Sequence, residues 1–249
     1  MLDKFRDVPI PHSHPFLLCF SLTFGALGFY FRGDATALEA RADEAIVLAR
    51  EFRIPIYFDA AGPINKGLAA LLVGRTEDGM ALVNKGMAVW KAIGAGIWLP
   101  ALNAALAEAY AALDDMSAAM AHIEASLEQL ERPGWEEHAW YSDSLRIKGR
   151  LLTQQGDLAE AESWYQRALN VARARQAKSL ELRAVTALAE LWLQQGKPRE
   201  AHALLAPVYG WFTEGFDTRD LIHAKVLIDK LESHSALKHG SPSRFTGRR

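Results

Sequence analysis

Apolar helical stretches along this chain end, one after another, on a turn residue: Gly33, Gly74, Asp114, Gly156 and Gly196. The spacings between them are 41, 40, 42 and 40 residues. Three further columns keep the same register. Seven residues before each turn stands a small side chain (Ala26, Gly67, Ala107, Gly149, Ala189), and five after it a small or apolar one (Leu38, Gly79, Ala119, Ala161, Ala201). Twelve after it come Ala45, Gly86, Ser126, Ala168 and Val208. Four columns recurring together in five units identify a repeat protein. The pattern predicts ten helices in five hairpins, in units near 16–59, 60–99, 100–137, 138–178 and 179–216. An eleventh helix at 217–232 carries the stripe Leu221, Ala224, Leu227, Ile228 and Leu231, with Asp217 or Thr218 to cap its start. It is placed to cover the last hairpin. Residues 1–15 read as an irregular leader and 234–249 as a disordered basic tail, with no strand candidate of comparable quality.

The residue types follow from packing. Antiparallel helices joined by a short turn approach closely only where side chains are small, so Ala and Gly mark the crossings. Glycine at the turn supplies the left-handed conformation that ends the first helix. Larger side chains fill the space between pairs: Phe29, Tyr110, Leu152 and Trp192 in first helices, and Val83, Ile123, Tyr165 and Leu205 in second helices. No pair buries its apolar face alone, so stability comes from stacking. This rhythm resembles the tetratricopeptide repeat, whose unit is about 34 residues. The units here are longer, through extended second helices or connections such as Gly94-Ala95-Gly96 and Arg132-Pro133-Gly134. The resemblance implies an all-α, right-handed superhelical solenoid of about five repeats plus a C-terminal capping helix. Pro207, inside the last second helix, is expected to kink or break it.

The second half is more specific. Two stretches carry it: Ala161-Glu162-Ser163-Trp164-Tyr165-Gln166-Arg167-Ala168-Leu169 and Ala177-Lys178-Ser179-Leu180-Glu181-Leu182-Arg183-Ala184. A third is the ending Leu204-Leu205-Ala206-Pro207-Val208-Tyr209-Gly210-Trp211-Phe212-Thr213-Glu214-Gly215-Phe216-Asp217. Together they resemble the C-terminal helical region of bacterial signalling proteins of the adenylate/guanylate cyclase type. In those, a cyclase or DNA-binding domain precedes an AAA-like ATPase and a tetratricopeptide-like array. Gly74–Gly79 and Gly86–Trp90 fit the same region. The catalytic modules would lie upstream. No phosphate-binding loop occurs here, since Gly196-Lys197 is followed by Pro198 and lacks the preceding glycine. The resemblance therefore implies a scaffold that senses or recruits, not a transferred activity, and an array that is a fragment or the product of a split gene.

Composition narrows the function. The 249 residues carry 28 Lys plus Arg against 30 Asp plus Glu, a net charge of −2, so no basic excess exists for gripping nucleic acid or an acidic membrane. Half the residues are apolar and 23% charged, enough for a buried core. One cysteine, Cys19, rules out an internal disulfide framework and any multi-cysteine metal site. These features point to a soluble cytoplasmic protein. The run Phe16–Phe31 has no charge but is shorter than the roughly 20 residues of a membrane span. It reads as a buried helix. The tail concentrates Lys238, Arg244, Arg248 and Arg249 without an acid.

Candidate chemistry is sparse. His12 and His14 lack a third ligand, and no metal or cofactor is implied. Glu136, Glu137 and His138 read as helix-start residues favoured by the macrodipole, against a rival reading as a hydrolytic acid/base cluster. Cys19 reads as a buried inert thiol, and the seven Trp as packing residues. The informative surface is the concave face formed by first helices. Asp143, Arg146, Arg150 and Gln154 fall on it in unit four, and Arg183, Thr186, Glu190 and Gln194 in unit five. The corresponding positions of the first two units are apolar: Phe20, Leu27, Tyr30, Phe31, Ile64, Leu68 and Leu71. Three arginines on adjacent helices suit a carboxylate held by forked hydrogen bonds, while Arg–Asp and Arg–Glu pairing on a solvated face is the competing reading. The expected function is non-catalytic interaction with a protein or peptide in this groove, such as an ATPase or cyclase module. A small-ligand sensor is the alternative, and self-association through the uncapped apolar first unit is a further expectation.

Overall fold

The computed structural model of the chain describes residues 14–136 and 138–237. Among these residues it holds eleven α-helices and no strand. They are α1 Pro15–Arg32, α2 Ala35–Glu51, α3 Gly62–Leu72, α4 Thr76–Ala92, α5 Leu99–Ala112 and α6 Met116–Leu130, then α7 Tyr141–Gln155, α8 Leu158–Ala174, α9 Lys178–Gln194, α10 Pro198–Tyr209 and α11 Arg219–Leu237. A π-helical segment, Ile56–Ala61, runs directly into α3. The chain divides into two compact units, Met1–His138 and Ala139–Arg249. In the first, α1 pairs with α2, α3 with α4 and α5 with α6. In the second, α7 pairs with α8 and α9 with α10, and α11 packs against both α10 and α9.

All five turn residues adopt left-handed backbone, with φ of 73° at Gly33, 79° at Gly74, 60° at Asp114, 89° at Gly156 and 76° at Gly196. Each closes the same pair of hydrogen bonds. The turn N–H donates to the carbonyl three residues back and the next N–H to the carbonyl five back, as in Gly33 to Tyr30 (3.0 Å) with Asp34 to Phe29 (2.9 Å). Aspartate takes over immediately afterwards in two hairpins: Asp34 accepts from the Ala37 N–H and Asp115 from the Ala118 N–H, both at 3.0 Å.

A second set of left-handed residues follows 20 residues after each turn (19 in the last case): Arg53, Gly94, Gly134, Gln176 and Gly215. These corners join one hairpin to the next. The helices of most repeats are thus long, α1, α2, α4, α8 and α9 each running 17 or 18 residues, while α10 has 12. This accounts for a repeat longer than about 34 residues.

The small columns sit at the helix crossings, where there is no room for more. A Cβ on Gly67 would come within 2.7 Å of both the Gly79 carbonyl oxygen and Val83 Cγ2, and one on Gly149 within 2.8 Å of the Tyr165 ring. Where the column is serine it also ties the helices. Ser126 on α6 donates to the Pro100 carbonyl at 2.8 Å, and one repeat later the same crossing is tied from the other side by Ser142 on α7 to the Ala168 carbonyl at 2.9 Å. Around these crossings the first unit buries Leu38, Ile64, Leu68, Val83, Leu102 and Leu106 in one cluster, and the second buries Leu145, Ile147, Leu151, Leu182, Leu188 and Leu191.

Several expectations need correction. The apolar run is a helix buried on one face only: Cys19, Leu22, Ala26 and Leu27 face α2 and α3, while Phe16, Leu17, Phe20 and Phe31 are exposed. Among the described residues α1 is the one helix long and apolar enough to cross a membrane, and Asn65 holds it to α3 by donating to the Thr23 carbonyl at 3.0 Å. The first helix begins at Pro15, residues 1–13 of the expected leader lie outside the described residues, and α11 continues to Leu237, so residues 234–237 are helical. Thr218, the residue before α11, donates its hydroxyl to the Gly215 carbonyl at 2.6 Å. Pro207 lies in the last turn of α10, which ends at Tyr209. His12, Glu137 and the tail residues Lys238, Arg244, Arg248 and Arg249 lie outside the described residues. Glu136 and His138 precede α7 without belonging to its first turn, where the acid is Asp143.

Two glycine substitutions test this packing. Gly67→Ala forces the α3–α4 crossing apart and is expected to destabilise by about 1–3 kcal/mol. Gly25→Ala lies mid-helix with nothing within 4 Å of the new Cβ, and is expected to stabilise by about 0.5–1 kcal/mol. Urea unfolding of both variants checks the pair of signs.

Candidate interaction face

In the second unit the first helices α7, α9 and α11 lie side by side, with α9 touching both neighbours. Side chains that point across this layer meet one another. Arg146 Nε donates to Asp143 Oδ1 at 2.7 Å within α7. The other oxygen of Asp143 lies 3.6 Å from Arg183 Nη1 on α9. Arg183 Nε in turn donates to Asp220 Oδ2 on α11 at 2.6 Å. One turn further along, His223 on α11 donates from Nε2 to Glu190 Oε1 on α9 at 2.8 Å. The three helices are laced by alternating charge.

The field follows from the geometry. Burial alone would raise the Asp143 carboxyl, but the guanidiniums of Arg146, Arg183 and Arg150 outweigh it and hold the group below its ordinary value. Burial opposes the charge on Arg183, and Asp143 and Asp220 more than restore it. The hydrogen bond to Glu190 raises His223 against its partial burial. Behind the layer, the Tyr165 hydroxyl lies 3.2 Å from that of Thr153, and burial raises its pKa.

The structure brings together Asp143, Arg146, Arg150, Arg183 and Glu190, in agreement with their shared helical face. Gln154 and Gln194 are exposed near the ends of α7 and α9. Thr186 is different: it is only 5% exposed and donates its hydroxyl to the Leu182 carbonyl at 2.7 Å, so it lies behind the face. Of the apolar positions read as groove-lining in the first unit, Leu27, Ile64 and Leu68 are buried instead. Asp220 and His223 do not show in the sequence pattern of α11, which reads as a cap through its apolar stripe. Their spacing of three, one face away from that stripe, was the available signal. Among the described residues, no group of three or more His, Cys, Asp or Glu side chains is placed to hold a metal ion.

Two outcomes follow. Arg183→Ala leaves Asp143 and Asp220 without their shared cation and is expected to destabilise by about 2–3 kcal/mol, read by chemical denaturation. The folded pKa of His223 is raised above its ordinary 6.5, so the tie between α9 and α11 is fully present below that value and is lost as pH rises through the folded one. Both partners are well exposed, which keeps the effect below about 1 kcal/mol. The thermal midpoint is expected to fall slightly from about pH 6 to 8, and His223→Gln to flatten that part of the profile.

Residues 98–174 match the tetratricopeptide repeat family. No curated protein matches the chain by sequence. Among solved structures, BtubC (BKLC) from P. vanneervenii is similar at 16% identity and a TM-score of 0.56, covering 100% of this chain and 91% of that one. NprR in complex with its cognate peptide NprX is similar at 16% identity and a TM-score of 0.57, covering 94% and 68%. The apo form of RapI is similar at 13% identity and a TM-score of 0.60, covering 96% and 89%. Helix pairs, corners and these likenesses agree on one fold: an all-α, tetratricopeptide-like array of helical hairpins.

Proposed function

We propose that this chain is a non-catalytic, cytoplasmic interaction module that binds a protein or peptide partner along the α7–α9–α11 face. One observation carries the reading. Polar and charged side chains from three successive helices converge on one layer, with Arg146, Arg150 and Arg183 balanced against Asp143, Glu190 and Asp220. A preformed face of this kind binds with little ordering cost, because its helices are already fixed. NprR, whose solved structure has a similar fold, is in complex with a peptide, which supports the choice of ligand. The titratable groups here tie helices together, in keeping with a scaffold rather than an enzyme. In this reading the chain is the partner-binding array of a cyclase-type signalling ATPase, as its second-half motifs suggest. The exposed apolar face of α1 is a second contact surface, suited to self-association.

Because Arg146, Arg150 and Arg183 all act on the charged layer, the residues to probe are the exposed glutamines at its edge, Gln154 and Gln194. A peptide array screened with the full chain is expected to yield binders that weaken about tenfold for the combined Gln154→Ala and Gln194→Ala variant, with circular dichroism unchanged. Binders indifferent to both substitutions would remove the face from consideration.

A further inference from the structure

A cavity of about 760 Å³ opens in the second unit between the α8–α9 corner and the segment that follows α10. Arg173, Lys178, Ser179 and Glu181 line one side, Trp211 and Phe212 the other. The two sides come from separate parts of the chain, residues 173–181 and 211–212, which include portions of two stretches that carry the cyclase-type resemblance. Nothing in the α7–α9–α11 face uses them.

The charge arrangement at this cavity is specific. Glu181 is only 4% exposed and accepts from Arg173 Nε at 2.9 Å and from Lys178 Nζ at 2.7 Å. Burial would raise its carboxyl, but the bonds from Lys178 and Arg173 outweigh that and keep it ionised. Two cations against one buried carboxylate leave one net positive charge. Each cation also retains donors: a guanidinium has five N–H groups and an ammonium three, and these bonds use one of each. The α9 helix starts here with no side-chain cap, so its positive end adds to the same sign.

The opposite wall is apolar and open. Trp211 is 58% exposed, meets Phe212 edge-on at 5.2 Å, and has Lys178 Nζ 5.7 Å from its ring centroid. An exposed indole beside two cations braced by a buried acid is a pocket wall rather than packing. The expectation that all seven Trp serve packing fails at this residue.

We propose that this cavity binds a carboxylate carried on a flat apolar group, with the carboxylate on Arg173 and Lys178 and the apolar group against Trp211 and Phe212. A peptide C-terminus ending in an aromatic residue has this chemistry, and so does a free aromatic acid. The site shares no residue with the face assigned above, so either can fail alone.

Calorimetric titration of the full chain separates the possibilities. The probes are N-acetylphenylalanine and its amide, and a hexapeptide ending in phenylalanine with a free or amidated terminus. Both acids are expected to bind at least about tenfold more tightly than their amides, because the charge-assisted bonds are lost in the amide. Arg173→Gln is expected to weaken the acids about tenfold and leave the amides unchanged. Trp211→Ala weakens all four, and Trp211→Phe retains most of the binding. A peptide tighter than the acetylated residue identifies a chain terminus as the ligand, and equal affinities identify a free acid. Acids and amides that bind alike, absence of binding at millimolar concentration, or indifference to Trp211→Ala would each overturn the proposal.

Discussion

The structure depends on how closely two helices approach within each hairpin. At the α3–α4 and α7–α8 crossings the backbones lie so near that a single added carbon at Gly67 or Gly149 meets atoms 2.7–2.8 Å away. Contact at that distance removes water from both helices and fixes their register. The Ala and Ser members of the same columns extend this along the chain, and the serines convert a crossing into a hydrogen bond. Close pairing in turn requires that the chain reverse within two or three residues. Only a left-handed corner closing both of its hydrogen bonds onto the helix it leaves does so without unsatisfied carbonyls.

Corners and crossings together decide where charge goes. Once second helices α8 and α10 have taken up the apolar contacts with α9 and α11, the neighbouring first helices face each other with polar side chains. These sites are partly withdrawn from water, where an isolated carboxylate such as Asp143 would be costly. The molecule meets that cost with Arg146 on the same helix and Arg183 on the next, and Arg183 does two jobs, neutralising Asp143 and Asp220 and tying α9 to both neighbours. A surface built this way is rigid and polar at once, which is the property a binding face needs.

The cavity between Arg173 and Trp211 arises from the same device. The left-handed residue Gln176 reverses the chain between α8 and α9 and leaves Arg173 and Lys178 close enough to share one buried acid. The segment after α10 supplies the aromatic wall across the gap. A corner needed for the fold therefore also organises a charged recess, at no further conformational cost.

By itself the sequence determined the repeat, its period, the crossing residues and the five turns, because these follow from local rules: a glycine where φ must be positive, an alanine where backbones touch. It also put Asp143, Arg146 and Arg150 on one face of α7, and Arg183 and Glu190 on one face of α9. It did not reveal the corners at Arg53 and Gln176, since left-handed backbone at those residue types has no compositional mark, nor the exposed side of α1, since an apolar run does not say how many neighbours will cover it. Only the tertiary structure decided that Asp220 and His223 tie α11 to α9, that Thr186 turns inward, and that Glu181 is buried between two cations facing Trp211. The α9–α11 ties join residues 33 and 37 positions apart, and the others are choices of side-chain direction and burial. They are set by how one hairpin lies on the next, a quantity that no short window of sequence contains.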